Sequence, residues 1–479
     1  MGTWDTHEYE RAAVAGVAAV AAYVERSQSG EGPAVSRRPV PEVVEALDLR
    51  RWMREGGMGP ESFAGFLDAF LEHSTRLHHP GFLAHQTASP DFPAALADLV
   101  HGAINNPMAI YEMGSSGAVI ELVVTEWMVE KIGWDPRESA GVLTHGGSLA
   151  NLTALLGARA RAAPEAWERG VPADLALLAP PSAHYSVARA AAILGLGEDA
   201  VIPLETDALE RIVAERLPDA LERAAAAGRR PMALVAAACA TSTGLHDDLE
   251  RVGAFCAEHG IWLHVDACHG GSALLSPRHR HRLRGIERAD SVVWDAHKML
   301  RTSSLCAAVL FRRGADGTDA FRQHADYLIY DRDDPDGIDF MMRAVECTKA
   351  TLGLKLFLNL AWRGEAGLGA YVDEQYDKTR RFHDLVASRQ GFECPYEPET
   401  NILCFRYGHD AELQVAIRER LLAEGELHLS STVVSGERYL RIAVMAPATD
   451  EATIERLLDA VERAAAQVGA GARETAGAG

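Results

Sequence analysis

The chain has 479 residues, 47 Lys and Arg against 68 Asp and Glu for a formal charge of −21, and 48% hydrophobic residues. That length accommodates two to four domains around a large apolar core, and the acidic balance disfavours phosphate backbones and anionic lipid as partners. Seven cysteines without a C-x-x-C pair read as reduced thiols in a cytosolic protein, not a disulfide framework or a zinc cage.

No basic-then-apolar leader is visible at the start, and AAVAGVAAVAAYVER is too short to span a bilayer. The expectation is a soluble, unprocessed, cytoplasmic chain. Residues 9–26 carry Ala and Val at helical spacing, 27–38 (SQSGEGPAVSRR) form a Gly/Ser/Pro linker, and 41–77 read as helical again. From Gly141 short apolar runs alternate with helical stretches: GVLT, DLALLA, AVIPL, ALVAAA, IWLHVDA, SVVWDA and AAVLFR. Strands alternating with helices predict a mainly parallel sheet covered on both faces. The segment 314–337 is polar and weakly periodic, a length of loop uncommon unless functional. Beyond it, 340–363 reads as a long helix, and from 391 the texture is α+β. Thr449 is the expected N-cap of the last amphipathic helix, and the Gly/Ala-rich tail from 469 is expected to fray.

Four clusters carry chemistry. In SVVWDAHKML an apolar strand ends at Asp295, followed by His297 and Lys298. A lysine in a low-dielectric pocket is expected to have a lowered pKa, freeing a neutral amine for Schiff-base chemistry. Taken alone, such a lysine reads as readily as one that has emerged into solvent. In IWLHVDACHGG, Asp266 sits at another strand end, where a carboxylate can hold a proton on a ring nitrogen, cap a helix or bind magnesium. In GVLTHGGSLANL a Gly146, Gly147, Ser148 turn precedes a helix and suits an anion, though it lacks the lysine of a Walker loop. His184, opening a helix in APPSAHYSVARA, is either a capping-region residue or a flat ring able to stack on a cofactor.

Together these clusters, in this order, resemble the group II pyridoxal-phosphate-dependent amino-acid decarboxylases. The resemblance runs from about residue 78 to 461, through HPGFLAHQTASPDFPAALAD, NNPMAIYEMG, THGGSLANL, HYSVARA, ATSTG, HVDACHGG, DSVVWDAHKML, DYLIYD and YLRIAVMAPATDEATIERLLDAV. It implies a fold-type I α/β enzyme. The implied parts are a helical N-terminal dimerisation arm (1–77), a large domain with a mostly parallel seven-stranded sheet (78–370) and a small C-terminal α+β domain (371–479). It also implies pyridoxal 5′-phosphate as cofactor and a homodimer. Lys298 would carry the cofactor, Asp266 pair with its ring nitrogen and His184 stack on the ring. Gly147, Ser148 and His297 would hold the phosphate, Thr241 and Ala267 line the cofactor, and Arg441 receive the substrate α-carboxylate. Tyr327, on the polar loop, resembles the family's loop tyrosine that returns a proton to Cα.

The chain departs from the pattern at Cys268 and His269, where most relatives read Ala-Tyr, at His85, where glutamate enzymes carry a glutamine, and at Cys239 and Ala240, which replace Gly-Thr before Thr241. His85 and His269 border the substrate in the family, so they either receive an acidic side chain or fill space. The expected function is an L-amino-acid α-decarboxylase releasing CO2 and a primary amine from a small acidic amino acid such as cysteine sulfinate, aspartate or glutamate. The alternatives are an oxidative deaminase or aldehyde synthase, or a decarboxylase of an aromatic or diamino acid. The basic run PRHRHRLRG reads as a solvated face and not a nucleic-acid site, and no spacing supports a metal centre.

Overall fold

The computed structural model describes residues 4–322 and 337–477. Seven strands make one sheet: β1 (Ala140–Thr144), β2 (Leu175–Ala179), β3 (Val201–Pro203), β4 (Arg230–Ala237), β5 (Trp262–Asp266), β6 (Ser291–Asp295) and β7 (Ala307–Phe311), each at one of the predicted apolar runs. Their order is β1-β7-β6-β5-β4-β2-β3. β7 pairs antiparallel with both β1 and β6, and the other pairings are parallel, so β7 alone runs against the rest. Successive residues of a strand serve opposite faces. Leu234 and Val292 join one apolar core, and Val235 and Val293 join the other. That double burial is why these strands read as unbroken hydrophobic runs.

Registers set the site. Ala237 pairs with Asp266 and Asp266 with Val293, so β4, β5 and β6 end near one level. The carboxyl edge of a doubly wound sheet is where ligands bind.

A second, antiparallel sheet contains β8 (Phe392–Glu393), β9 (Ile402–Tyr407), β10 (Ser430–Val434) and β11 (Glu437–Ala443), ordered β10-β11-β9-β8. The helices Ala411–Glu424 and Glu451–Gly477 pack on it through Ile417, Leu421, Ile454 and Leu457. Leu83 belongs to this core as well: its N–H donates to the His428 carbonyl and its carbonyl accepts from Ala443.

The helical sequence of 41–77 forms helices Val40–Ala46, Leu49–Glu55 and Pro60–Glu72, interrupted by Asp48 at φ 48° and by Gly56 and Gly57 at positive φ. Two local expectations need correction. The last helix is capped by Asp450, whose carboxylate accepts from the Thr453 N–H at 2.8 Å, while Thr449 is buried and donates to the Pro80 carbonyl. The helix expected over 340–363 begins only at Leu352; its expected end stands, because Gly364 breaks the backbone there before helical structure continues to Ser388. Lys349 is drawn into the core to pair with Glu121 and the Leu143 carbonyl, and its own carbonyl accepts from Met108, which holds this stretch outside the helix.

Of the polar loop, Gly314–Thr318 is a short helix. In the basic run Arg278 pairs with Asp377 and Arg282 with Glu399. All seven cysteines are free, and among the described residues no helix is long and apolar enough to cross a membrane.

Candidate active site

A cavity of about 340 Å³ opens beyond the carboxyl ends of β1, β2, β4, β5 and β6. It is lined by Gly147 and Ser148 after β1, His184 after β2, Thr241 after β4, Asp266 and His269 at the end of β5, and His297 and Lys298 after β6. Eight of the sequence-predicted residues thus converge from five separate stretches of chain.

Lys298 Nζ lies 3.0 Å from Asp295 Oδ2. Burial alone lowers a lysine pKa, as the sequence suggested, but here the charge of Asp295, with Cys268 and Asp266 behind it, outweighs burial and holds the amine above its usual value. The charges around it therefore favour the ammonium form of Lys298, which corrects the expectation of a lowered pKa. Asp295 is 1% exposed, and its Oδ1 has no hydrogen-bond partner.

Asp266 accepts from the Cys268 N–H at 3.1 Å and from Asn151 Nδ2 at 3.0 Å. Burial pushes its carboxyl up, but Lys298 and these two donors more than offset that, so it sits below the usual carboxylate value and stays charged. His184 is half-buried, with its pKa lowered chiefly by burial, and its ring centroid is 4.2 Å from that of Tyr185. His269 lies 2.6 Å through Nε2 from Asn401 Oδ1, and burial pushes its pKa down to about 3. Its Nδ1 is buried without a partner. His297 Nδ1 lies 2.8 Å from the Cys306 carbonyl.

At the turn after β1, Gly146 adopts φ 106°, ψ 158°, a conformation that L side chains avoid, and opens the helix Gly147–Ala162 without any side-chain cap. A Cβ on Gly147 would lie 2.7 Å from Cys268 Sγ and 2.9 Å from Asp295 Oδ2. A ligand can therefore approach the backbone at a point where any side chain would obstruct it.

The remaining predicted residues are placed elsewhere. Ala267 is buried behind the cavity wall, bonded through its N–H to Val265 and Val293. Arg441, buried in β11, reaches only the rim: Nη2 donates to the Thr241 carbonyl at 2.7 Å, Nε to Ser242 at 3.2 Å, and Nη1 to Ala84 and Ser430. His85 is exposed, its ring 5.4 Å edge-on from His428 and outside the cavity lining. Tyr327 lies outside the described residues. Sequence reading missed Asn151, His145 and Leu305 on the lining and gave Asp295 no role. Asn151 had a usable signal, since it lies three residues after Ser148 on the same helical face.

A strand-end lysine, a charged carboxylate able to face a ring nitrogen and a backbone cradle for an anion fit one cofactor. The model of the pyridoxal-dependent decarboxylase conserved domain matches residues 65–408. The chain belongs to the pyridoxal-dependent decarboxylase family.

It is 30% identical over 445 residues to the human acidic amino acid decarboxylase GADL1, covering 89% of this chain and 85% of that protein. It is 31% identical over 406 residues to an L-2,4-diaminobutyrate decarboxylase of Rhizobium meliloti (strain 1021), covering 83% and 80%. Among solved structures, mouse CSAD in apo form superposes with a TM-score of 0.89 at 27% identity, over 96% of this chain and 99% of that one. As a family member the chain is a fold-type I, pyridoxal-phosphate-dependent carboxy-lyase that acts on a small-molecule amino acid.

Proposed function

We propose that this decarboxylase acts on a small acidic L-amino acid, of the cysteine sulfinate or aspartate type. The observation that carries this reading is the lining of the cavity. His145, His184, His269 and His297 line the cavity with Lys298, and among the described residues its two lining carboxylates, Asp266 and Asp295, are both within electrostatic reach of the Lys298 amine. An anionic side chain meets imidazole rings and a lysine there, with both acids held by that amine. The 30% identity to an acidic amino acid decarboxylase points the same way.

In this reading Lys298 carries the cofactor, Asp266 faces its ring nitrogen, His184 lies on the ring, and Gly147, Ser148 and His297 surround the phosphate. Thr241 borders the cofactor from the β4 side, and Ala267 supports it from behind. When bound, pyridoxal phosphate supplies the conjugated system that takes up the electron pair left by CO2. The described bonds of Arg441 leave one N–H of Nη2 uncommitted, which we assign to the substrate α-carboxylate. His269 borders the substrate through Nδ1, its Nε2 hydrogen being given to Asn401 Oδ1, His85 stands at the entrance, and Tyr327 returns the proton to Cα.

A second copy of the chain completes the site. Leu305 lines the cavity and is 45% exposed. Residues 1–77 form the dimerisation arm, 78–370 the cofactor domain and 371–479 the small domain, with the helix Leu352–Ser388 crossing the last boundary.

One observation favours a second reading. Glu346 pairs with His145 at the cavity, and a carboxylate there suits the ammonium of a diamino acid. Measuring CO2, amine, aldehyde and peroxide from a panel of L-amino acids separates the readings. Acidic substrates should yield equimolar CO2 and amine without peroxide, and Lys298→Ala should bind no cofactor that borohydride can trap. Turnover of diamino acids alone, or aldehyde with peroxide, would overturn the proposal.

A further inference from the structure

Behind the cavity a buried hydrogen-bond chain runs from a group that can only donate to one that can only accept, so its direction is fixed. It starts at Trp262, whose indole N–H donates to Ser291 Oγ at 2.8 Å. Ser291 then has its own hydrogen for His264 Nδ1, also 2.8 Å away. His264 is fully buried and pushed down to about 4 by that burial, so it is neutral and its single ring hydrogen lies on Nε2, facing Asn151 Oδ1 at 3.0 Å. The Asn151 amide sends its two hydrogens onward, to Asp266 Oδ2 at 3.0 Å and to Ser186 Oγ at 2.9 Å. Turning the amide over would set its oxygen against the Asp266 carboxylate and its nitrogen against the His264 N–H, so only one orientation satisfies both neighbours.

The branch through Ser186 reaches the catalytic pocket. Ser186 already accepts from Asn151, so its O–H is left for His184 Nδ1 at 2.8 Å, and its backbone N–H points at the same nitrogen from 3.3 Å. Two donors on Nδ1 put the hydrogen of a neutral ring on Nε2. His184 lines the cavity, and with Nδ1 turned to Ser186, it is Nε2 that meets a ligand.

We propose that Asn151 and Ser186 are positioning residues for the decarboxylation, fixing His184 as its Nε2–H tautomer and so making it a hydrogen-bond donor, not a base, toward the bound cofactor and substrate. This rests on the reading that His184 lies against the cofactor ring. Trp262, Ser291 and His264 serve the same end from further back by keeping the Asn151 amide the right way round. A ring presented in this way holds a carboxylate or carbonyl oxygen and takes no proton at that edge.

The test is to label the holoenzyme with 15N-histidine and read the His184 tautomer from the couplings of its ring nitrogens. The wild type should show the Nε2–H form alone. Ser186→Ala removes the 2.8 Å hydroxyl donor and leaves only the longer 3.3 Å backbone contact on Nδ1, so it should add a population of the Nδ1–H form and lower kcat about tenfold, a loss of about 1.4 kcal/mol, while KM and the visible absorption of the cofactor stay unchanged. Ser186→Thr keeps the hydroxyl and should restore the single tautomer. Asn151→Ala should mix the tautomers too, and shift the visible band as well, because Asp266 loses a donor. An Nδ1–H ring in the wild type, or a single tautomer retained in both alanine variants, overturns the inference. His184 signals that do not respond to added cofactor would instead refute its placement on the ring.

Discussion

Lys298 lies beside two carboxylates, Asp295 at 3.0 Å and Asp266 further off. Desolvation and charge pull its pKa in opposite directions, and charge wins, because a carboxylate in hydrogen-bond contact in a low-dielectric site outweighs the loss of water around the ammonium. In the proposed reading, in which Lys298 would hold pyridoxal phosphate, only the neutral amine would do so, and attachment should speed up as pH rises. Asp295→Asn removes the largest charge holding the ammonium proton. The pH midpoint for development of the visible cofactor absorbance, followed after mixing apoenzyme with pyridoxal phosphate, should then move at least about one unit lower. An unmoved midpoint would show that the Asp295 carboxylate does not set the charge on Lys298.

At the scale of elements, what was legible in the sequence was what depends on periodicity and strand-end chemistry. Each of the seven apolar runs is a strand, and in the central ones burial on both faces leaves an unbroken hydrophobic signature; Asp266 and Lys298 stood out as charges at the ends of such runs. What was not legible depends on tertiary partners. Nothing local announces that Lys349 will be pulled inward by Glu121 and delay a helix to Leu352, or that Arg441 will spend its donors on the carbonyls of Thr241, Ser242 and Ala84. The Asn151 relay was hidden for the same reason, since its partners come from three separate segments. The helix Leu352–Ser388 breaks where the sequence placed a helix end: Gly364 at φ 65°, ψ 170°, with no atom within 4 Å of where a Cβ would stand. With open space around it, the only reason for glycine there is backbone conformation. Gly364→Ala should therefore lower unfolding stability by about 1–3 kcal/mol without steric clash. Denaturant unfolding measures this, and a neutral or stabilising result would mean that the two halves of the helix can join without strain.

For the whole molecule the decisive surface is the helix Phe92–Ile104. Phe92, Leu96, Leu99, Val100 and Ile104 recur at helical spacing and are each 38–52% exposed, so this helix turns an apolar stripe outward. Soluble monomers rarely leave such a stripe uncovered. It continues at Trp362, whose ring lies 5.4 Å from Phe92, and Ser303 donates to Asp98 of the same helix at 2.5 Å, two residues before Leu305 on the cavity lining. A proposed second copy seated here would bury the stripe and form part of the cavity wall, joining assembly to catalysis. Leu99→Asp places a charge in the middle of the stripe, where desolvating it costs several kcal/mol. If a second copy seats here, sedimentation should show dimers for the wild type and monomers for the variant. Far-UV circular dichroism should be unchanged, because Leu99 makes no part of the chain's own core. Decarboxylation should fall at least about tenfold, with cofactor lost on dialysis. A Leu99→Asp protein that sediments as a monomer yet keeps full activity and its cofactor would mean that each chain builds its site alone.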